Sequence, residues 1–164
     1  YTTSSNGLNV EGTDGCYTFN SRVFRAHRDG LNYHINADLM KNCNVFEFNV
    51  VSKYNGMSGD SNNNASTGHD GAIIQRVGGE YAYSEGPNLP DVNGCLTWNT
   101  GVVVHDSMSP EAGTRYGMYV QGGGKLHCDF CKSYSHLGDV IVQASTDSIF
   151  TTRGWFGGLD IIYS

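Results

Sequence analysis

Two carboxylic acids, Glu47 and Asp60, stand in contrasting surroundings within residues 42–64. Glu47 lies among Val and Phe residues, whereas Asp60 lies in a run of Gly, Ser and Asn. Burial raises the pKa of a carboxyl group, and hydrogen bonds from backbone N–H groups lower it. Such a pair supplies a protonated acid and an ionised base at one pH. The two residues therefore predict general acid–base catalysis, with Glu47 as the acid and Asp60 as the base.

The reaction depends on how far apart the two carboxyl groups lie. A gap of roughly 6.5–9.5 Å admits a water molecule between them, whereas about 5 Å favours a covalent route. Each acid also has an ordinary interpretation: Glu47 as a solvent-facing residue beside a buried stripe, and Asp60 as a turn residue.

Apolar residues spaced three and four apart predict helices on the N-terminal side of this pair. One helix begins at Asn20 or Ser21 and ends before Gly30, and a second runs from about residue 36 to residue 54. Strand-like alternation over residues 46–50 competes with the second helix. Further helices are expected over three segments: 91–108, 110–121 and 127–136.

Short strands are predicted between these helices. Residues 71–77 and 80–84 flank Gly78-Gly79 and predict an antiparallel hairpin. Residues 139–144 predict another strand or a buried turn, and residues 55–71 predict a long loop. No internal repeat is visible, so we expect one catalytic domain, 1–164, of the α+β class.

Composition limits the ligands that this chain could bind. The 164 residues carry a net charge of -6, which disfavours a nucleic-acid partner. No apolar stretch approaches 18 residues, so no membrane span is predicted. Aromatic residues make up 12% of the chain, which suits a neutral sugar ligand as well as an ordinary core.

Five cysteines, at positions 16, 43, 95, 128 and 131, and a first residue other than Met predict a secreted, extracellular chain without its signal peptide. We expect two disulfides and one remaining thiol. Asn64 opens a glycosylation sequon. Cys128 and Cys131 resemble half of a metal site, but no second cysteine pair is present, so no metal or cofactor is predicted. Ser107, next to Asp106 and His105, is not read as a hydrolase triad, because adjacent residues rarely form one.

The stretch that carries the two acids resembles glycoside hydrolase family 134, which are secreted endo-β-1,4-mannanases. The resemblance rests on four segments: Cys43, Phe46-Glu47-Phe48, Tyr54-Asn55-Gly56 and Gly59-Asp60-Ser61-Asn62. It implies a lysozyme-like fold of helices with a small antiparallel hairpin or sheet. It also implies an inverting mechanism, with Glu47 as general acid and Asp60 as general base.

The expected partners are β-mannan and manno-oligosaccharides, bound by a monomer. For the walls of the cleft we predict sugar contacts from Tyr54, Asn55, Asn62, His69, Trp98, His105 and Trp155. Two alternatives remain open. The chain could be a lectin-like carbohydrate-binding protein without catalysis, or a lysozyme-like hydrolase of chitin or peptidoglycan, although its acidic charge argues weakly against anionic cell walls.

Overall fold

The structure is a computed structural model. All of the regular secondary structure in its described residues consists of parallel strands. It describes residues 7–11, 15–34, 44–56, 60–63, 73–84, 89–92, 96–106, 116–120, 122–134, 138–143 and 147–163. Eighteen strands lie in these residues, and they form three sheets of seven, six and five strands. Every pairing between them is parallel.

The chain visits the three sheets in a fixed order. Sheet A contains β1 (Leu8–Glu11), β4 (Leu31–His34), β7 (Asp60–Asn63), β10 (Leu89–Val92), β13 (Tyr116–Val120), β16 (Gly138–Val142) and β18 (Ile161–Tyr163). Sheet B contains β2 (Cys16–Phe19), β5 (Val45–Phe48), β8 (Ile73–Val77), β11 (Leu96–Thr100), β14 (Lys125–Asp129) and β17 (Ile149–Arg153). Sheet C contains β3 (Arg22–Phe24), β6 (Val51–Lys53), β9 (Glu80–Ala82), β12 (Val103–His105) and β15 (Lys132–Tyr134).

This order makes the molecule a parallel β-helix, in which each of the first five coils contributes one strand to each sheet. Equivalent residues of successive coils lie directly over one another. In sheet B, one inward row consists of Cys16, Val45, Ile74, Thr97, Leu126 and Phe150. Its members are 29, 29, 23, 29 and 24 residues apart, so the coils differ in length through their connections.

The lysozyme-like α+β prediction is therefore wrong. None of the described residues is helical: residues 20–30 contain β3, residues 91–108 contain β11 and β12, and residues 127–136 contain β15. Residues 116–120, expected as the end of a helix, form β13. Apolar and polar residues that alternate with a period of two indicate a strand. The competing strand interpretation of residues 46–50 was the correct one.

The predicted hairpin is also wrong, although both of its strands exist. β8 belongs to sheet B and β9 to sheet C, so they follow each other round a corner and do not pair. Gly78 (φ 63°) forms that corner. Asn20, Asn49, Gly101 and Gly154 take the same left-handed conformation at this corner in other coils, which Gly and Asn tolerate best. The strand expected at 139–144 is confirmed as β16.

The core fills the space enclosed by the three sheets. Sheet A contributes Leu31, Leu89, Met118 and Val140, and sheet B contributes Val45, Ile74 and Leu126. Val50, Val102 and Cys131 follow the sheet B corner in three coils and are fully buried. Cys131 thus occupies an apolar position of the repeat. The row structure explains why residues far apart in sequence share one core.

Two adjacent isoleucines on β8 test which face of sheet B points to the core and which to the solvent. Ile74 is fully buried, whereas Ile73 is 47% exposed on the outer face. We expect Ile74→Ala to lower the free energy of unfolding by about 2–5 kcal/mol and Ile73→Ala to change it by less than about 0.5 kcal/mol. Urea denaturation followed by circular dichroism measures both values. Equal losses in the two variants would contradict the assigned faces of sheet B.

Candidate functional site

Glu47 lies inside the β-helix. Its side chain points inward from β5 and is 1% exposed. The Tyr81 hydroxyl donates a hydrogen bond to its carboxylate, and Nε of Arg76 lies 3.5 Å from the same oxygen, Oε2. Arg76 is itself 2% exposed and donates from Nη1 to the Asn99 side chain at 3.3 Å. The apolar setting seen in the sequence is therefore the interior of the fold.

A general acid must touch the oxygen that it protonates. A carboxyl group enclosed by Arg76 and Tyr81 has no such contact with an external polysaccharide. The structure therefore gives no support to Glu47 as the proton donor and indicates a structural role for it, as the charge partner of a buried guanidinium.

Asp60 lies on a different sheet from Glu47. Its backbone is in β7 of sheet A, in register with Leu31 of the preceding coil. Asn62 lies on the same strand, in register with Tyr33 and Asp91. His69 and the Asn64 sequon lie outside the described residues. The structure does not bring the two predicted catalytic acids together on one strand or one sheet.

Tyr54 and His105, two of the predicted sugar contacts, lie at one end of sheet C. Tyr54 is 50% exposed, and its ring stacks on that of Tyr83 with centroids 4.8 Å apart. Tyr83 meets the His105 ring edge-on at 5.2 Å, and His105 stacks flat on Tyr134 at 4.8 Å. Asn55 is buried: it accepts from the Ala26 N–H and donates to the Ser52 hydroxyl, so it holds the chain at a corner.

Charged side chains accompany these rings and link successive coils. Nε2 and Nδ1 of His105 each lie 2.7 Å from a carboxylate oxygen, of Glu80 and of Asp106 respectively. Nζ of Lys53 lies 2.7 Å from the other oxygen of Glu80. Burial raises the pKa of Glu80, but hydrogen bonds and charges from Lys53 and His105 outweigh it, so the pKa lies below the ordinary 4.5. Glu80 is thus an ionised member of a network that spans three coils.

The two predicted tryptophans lie in different places. Trp155 packs edge-on against Phe150 beside the core, and its indole N–H donates to the Gly158 carbonyl at 3.2 Å. Trp98 is 43% exposed on the outer face of sheet B. Of the two, Trp98 has the position of a ligand contact.

The outer face of sheet B carries a row of side chains in register from β2 to β17: Tyr17, Phe46, Gln75, Trp98, His127 and Thr151. A neighbouring row begins with Phe19 and Phe48, which are 55% and 43% exposed. Phe19 and Phe46 have ring centroids 5.9 Å apart, so the first two coils present a cluster of aromatic rings. We call this surface the sheet B face. Sequence analysis found Trp98 but missed the rest, because the row appears only when the coils are aligned.

A polar network lies at the other end of the sheet B face. The His127 ring lies 4.6 Å from the Trp98 ring, between two hydrogen-bond partners. Its Nδ1 is 2.6 Å from the Thr151 hydroxyl, and its Nε2 is 3.1 Å from Oδ1 of Asp129. Arg153 donates from Nη2 to Oδ2 of the same carboxylate at 3.1 Å. In the sequence, His127 and Asp129 flank Cys128, and no role of their own was predicted for them.

The cysteines themselves face inward. Cys128 and Cys131 are fully buried free thiols, and Cys16 is half-buried. Hydrogen bonding to Cys131, together with burial, raises the pKa of Cys128 well above its ordinary value, which is typical of an unreactive thiol. Only Cys16, Cys43 and Cys95 then remain, so at most one of the two expected disulfides can form; Cys43 and Cys95 lie outside the described residues. The described residues contain no cluster of three or more potential metal ligands.

Searches against protein-family models, curated proteins and solved structures gave no match to this chain. In the part of the chain that the structure describes, no helix is long and apolar enough to cross a membrane.

Replacing Glu47 tests its structural role. Glu47→Gln leaves the Arg76 charge buried without its carboxylate, so we expect the free energy of unfolding to fall by about 3–5 kcal/mol. The double variant Glu47→Gln/Arg76→Met removes both charges and should lose less than the sum of the single variants. Urea denaturation measures all of them. Wild-type stability in Glu47→Gln would contradict this role.

Acidification tests the network around Glu80. Because the pKa of Glu80 is lower in the folded protein than 4.5, the unfolded chain binds a proton first, and stability falls as the pH drops through this range. We expect Glu80→Gln to show a shallower loss of the free energy of unfolding between about pH 5 and pH 3 than wild type. Denaturation at each pH measures the slopes, and identical slopes would refute the contribution of Glu80.

Proposed function

We propose that this chain is a carbohydrate-binding β-helix and that the sheet B face holds a linear, neutral polysaccharide. The observation that carries the proposal is the row of exposed aromatic rings on this face. Contiguous exposed apolar side chains on a soluble protein mark an interaction surface. The rings are held on a sheet in which β5, β8, β11 and β14 are paired on both sides, so little conformational entropy is lost when a ligand binds.

Polar groups among the rings favour a sugar over a purely apolar partner. A depression of about 320 Å³ at the start of the face is lined by Tyr17, Phe46, Asn44 and Gln75, among others. The CH groups of one face of a pyranose pack against aromatic rings, while its hydroxyls bond to amide groups. A surface of aromatic rings with the amides of Asn44 and Gln75 beside them meets both requirements.

The spacing of the face suits a polymer. Neighbouring strands lie about 4.8 Å apart, comparable with the advance per sugar of an extended β-1,4-linked chain. A glycan lying along the β-helix axis would therefore meet a new strand at each successive sugar. The net charge of -6 favours a neutral glycan over a polyanion. We take β-mannan as the first ligand to test.

Hydrolysis of β-1,4-mannosidic bonds stays a prediction that the proposal does not require. Because Glu47 is buried, we favour binding over cleavage. Secretion and a monomeric state likewise stay predictions. Release of reducing sugars from mannan distinguishes hydrolysis from binding alone, because a binding protein releases none.

Trp98→Ala tests the sheet B face as the binding surface. Loss of one stacking ring should raise the Kd for mannopentaose by about two- to twelvefold, corresponding to about 0.5–1.5 kcal/mol. Trp98→Phe should recover part of the affinity. Isothermal titration calorimetry measures Kd, and affinity electrophoresis through gels containing mannan, xylan or chitin compares polymers.

Phe156→Ala serves as the matched control, because Phe156 is 56% exposed but bridges to Lys132, outside sheet B. We expect it to bind as wild type does. Wild-type affinity in Trp98→Ala, or wild-type protein that is retarded by none of the three polymers, would reject the proposal.

A further inference from the structure

We propose that Thr151, His127 and Asp129 form a catalytic triad on the sheet B face and that it hydrolyses carboxylic esters. The substrate class is an O-acetylated sugar; only this choice of alcohol rests on the carbohydrate proposal. A nucleophile, a base within hydrogen-bond reach of it and a third group that orients the base define such a site on any fold. All three relations are present among these residues.

Parallel pairing brings the triad together. Thr151 on β17 is in register with His127 on β14, and their side chains share the outer face. Asp129 follows His127 by two residues on the same strand and therefore points to the same side. The three residues span 24 positions of the sequence, and the period of two places them side by side on rigid strands.

The hydrogen bonds fix the roles of the two imidazole nitrogens. An ionised Asp129 only accepts, so Nε2 of His127, 3.1 Å away, must carry the proton. In the neutral ring, Nδ1 is then the acceptor, and the Thr151 hydroxyl 2.6 Å from it donates. This is the tautomer in which His127 takes the proton of Thr151.

The site is open to an external substrate. Thr151 is exposed, and the side chains of His127 and Asp129 are 25% and 17% exposed. Trp98 lies against the His127 ring at 4.6 Å and offers a surface for the sugar. Because Thr151 is exposed, we take acetyl, a short acyl group, as the one to test.

Arg153 carries a positive charge on the same outer face as the nucleophile. It lies two residues beyond Thr151 on the same face of β17, about 6.6 Å along the strand, which an arginine side chain spans. Its guanidinium carries five N–H donors, and one contacts Asp129 at 3.1 Å. We assign Arg153 the stabilisation of the oxyanion that forms on the carbonyl oxygen.

The reaction is balanced with water as the second substrate. Thr151 Oγ1 attacks the ester carbonyl carbon while its proton passes to Nδ1 of His127. The C–O bond to the sugar then breaks, and the sugar hydroxyl leaves with that proton. Water attacks the acetyl-Thr151 ester, gives a proton to His127 and releases acetate. The proton returns to Thr151 as the acyl–oxygen bond breaks.

Isosteric substitution at Thr151 is the decisive experiment. Thr151→Val keeps the shape and removes the nucleophile, so we expect kcat/KM for p-nitrophenyl acetate to fall by about 10²–10⁴-fold. Thr151→Ser keeps the hydroxyl and should remain within about tenfold of wild type. Tyr163→Phe is the control, since it removes a hydroxyl from a residue that is 67% exposed on sheet A, outside the triad and the sheet B face, and it should retain full activity.

Two further measurements separate the triad from a structural hydrogen-bond network. A fluorophosphonate should label wild-type protein once, at Thr151, as seen by peptide mass spectrometry. Asp129→Asn should lower kcat with KM and melting temperature little changed, because Asp129 is a positioning residue for the imidazole.

The proposal is overturned if Thr151→Val hydrolyses the ester as fast as wild type, or if wild-type protein neither hydrolyses it nor is labelled. Acetate release from acetylated and plain manno-oligosaccharides then reports on the sugar part. Ester hydrolysis without mannan binding would reject the carbohydrate proposal alone, and binding without ester hydrolysis would reject the triad alone.

Discussion

Backbone hydrogen bonding between successive coils is the constraint on which this molecule depends. Each strand inside a sheet pairs in parallel with its equivalents in the coils before and after it, so its residues lie over equivalent residues of the neighbouring coils. Side chains therefore form rows that run along the axis. An inward row must be apolar or internally paired, because it never meets water. An outward row is a continuous surface that presents one side chain about every 4.8 Å.

The inward row that contains Glu47 shows how polar side chains are accommodated inside the β-helix. Glu47, Arg76, Asn99 and Cys128 occupy equivalent positions in four successive coils. A charged pair in this place is tolerated because Arg76 faces Glu47, Asn99 accepts from Arg76, and Tyr81 donates to Glu47 from sheet C. Replacing such a pair by well-packed apolar residues is often neutral or stabilising. The pair therefore contributes to the register of these coils, since a slip of one residue would turn Arg76 to the outer face and separate it from Glu47.

Sequence reasoning obtained local features and missed the architecture. The alternation in Phe46-Glu47-Phe48 correctly indicated a strand, and the apolar setting of Glu47 correctly indicated burial. Apolar residues spaced three and four apart suggested helices, because coils of 23 to 29 residues place inward side chains at irregular intervals. Variable corners also concealed the repeat, since no single period aligns the coils. Of the predicted sugar contacts, Trp98 and Tyr54 are exposed, whereas Asn55 is internal, because the direction of a side chain cannot be read without the fold.

Register also explains why the chemistry of the sheet B face is absent from any short motif. Catalytic partners that share one hairpin or one helix lie a few residues apart and leave a readable spacing. In a β-helix, His127 meets Thr151 only because one full coil separates them, and that separation changes with every insertion in a corner. Only the pair His127 and Asp129 keeps a fixed spacing, because both lie on β14 and face the same side. A search for function in such chains should therefore begin with the coil register and compare outward residues across neighbouring coils, because parallel pairing places those residues in contact.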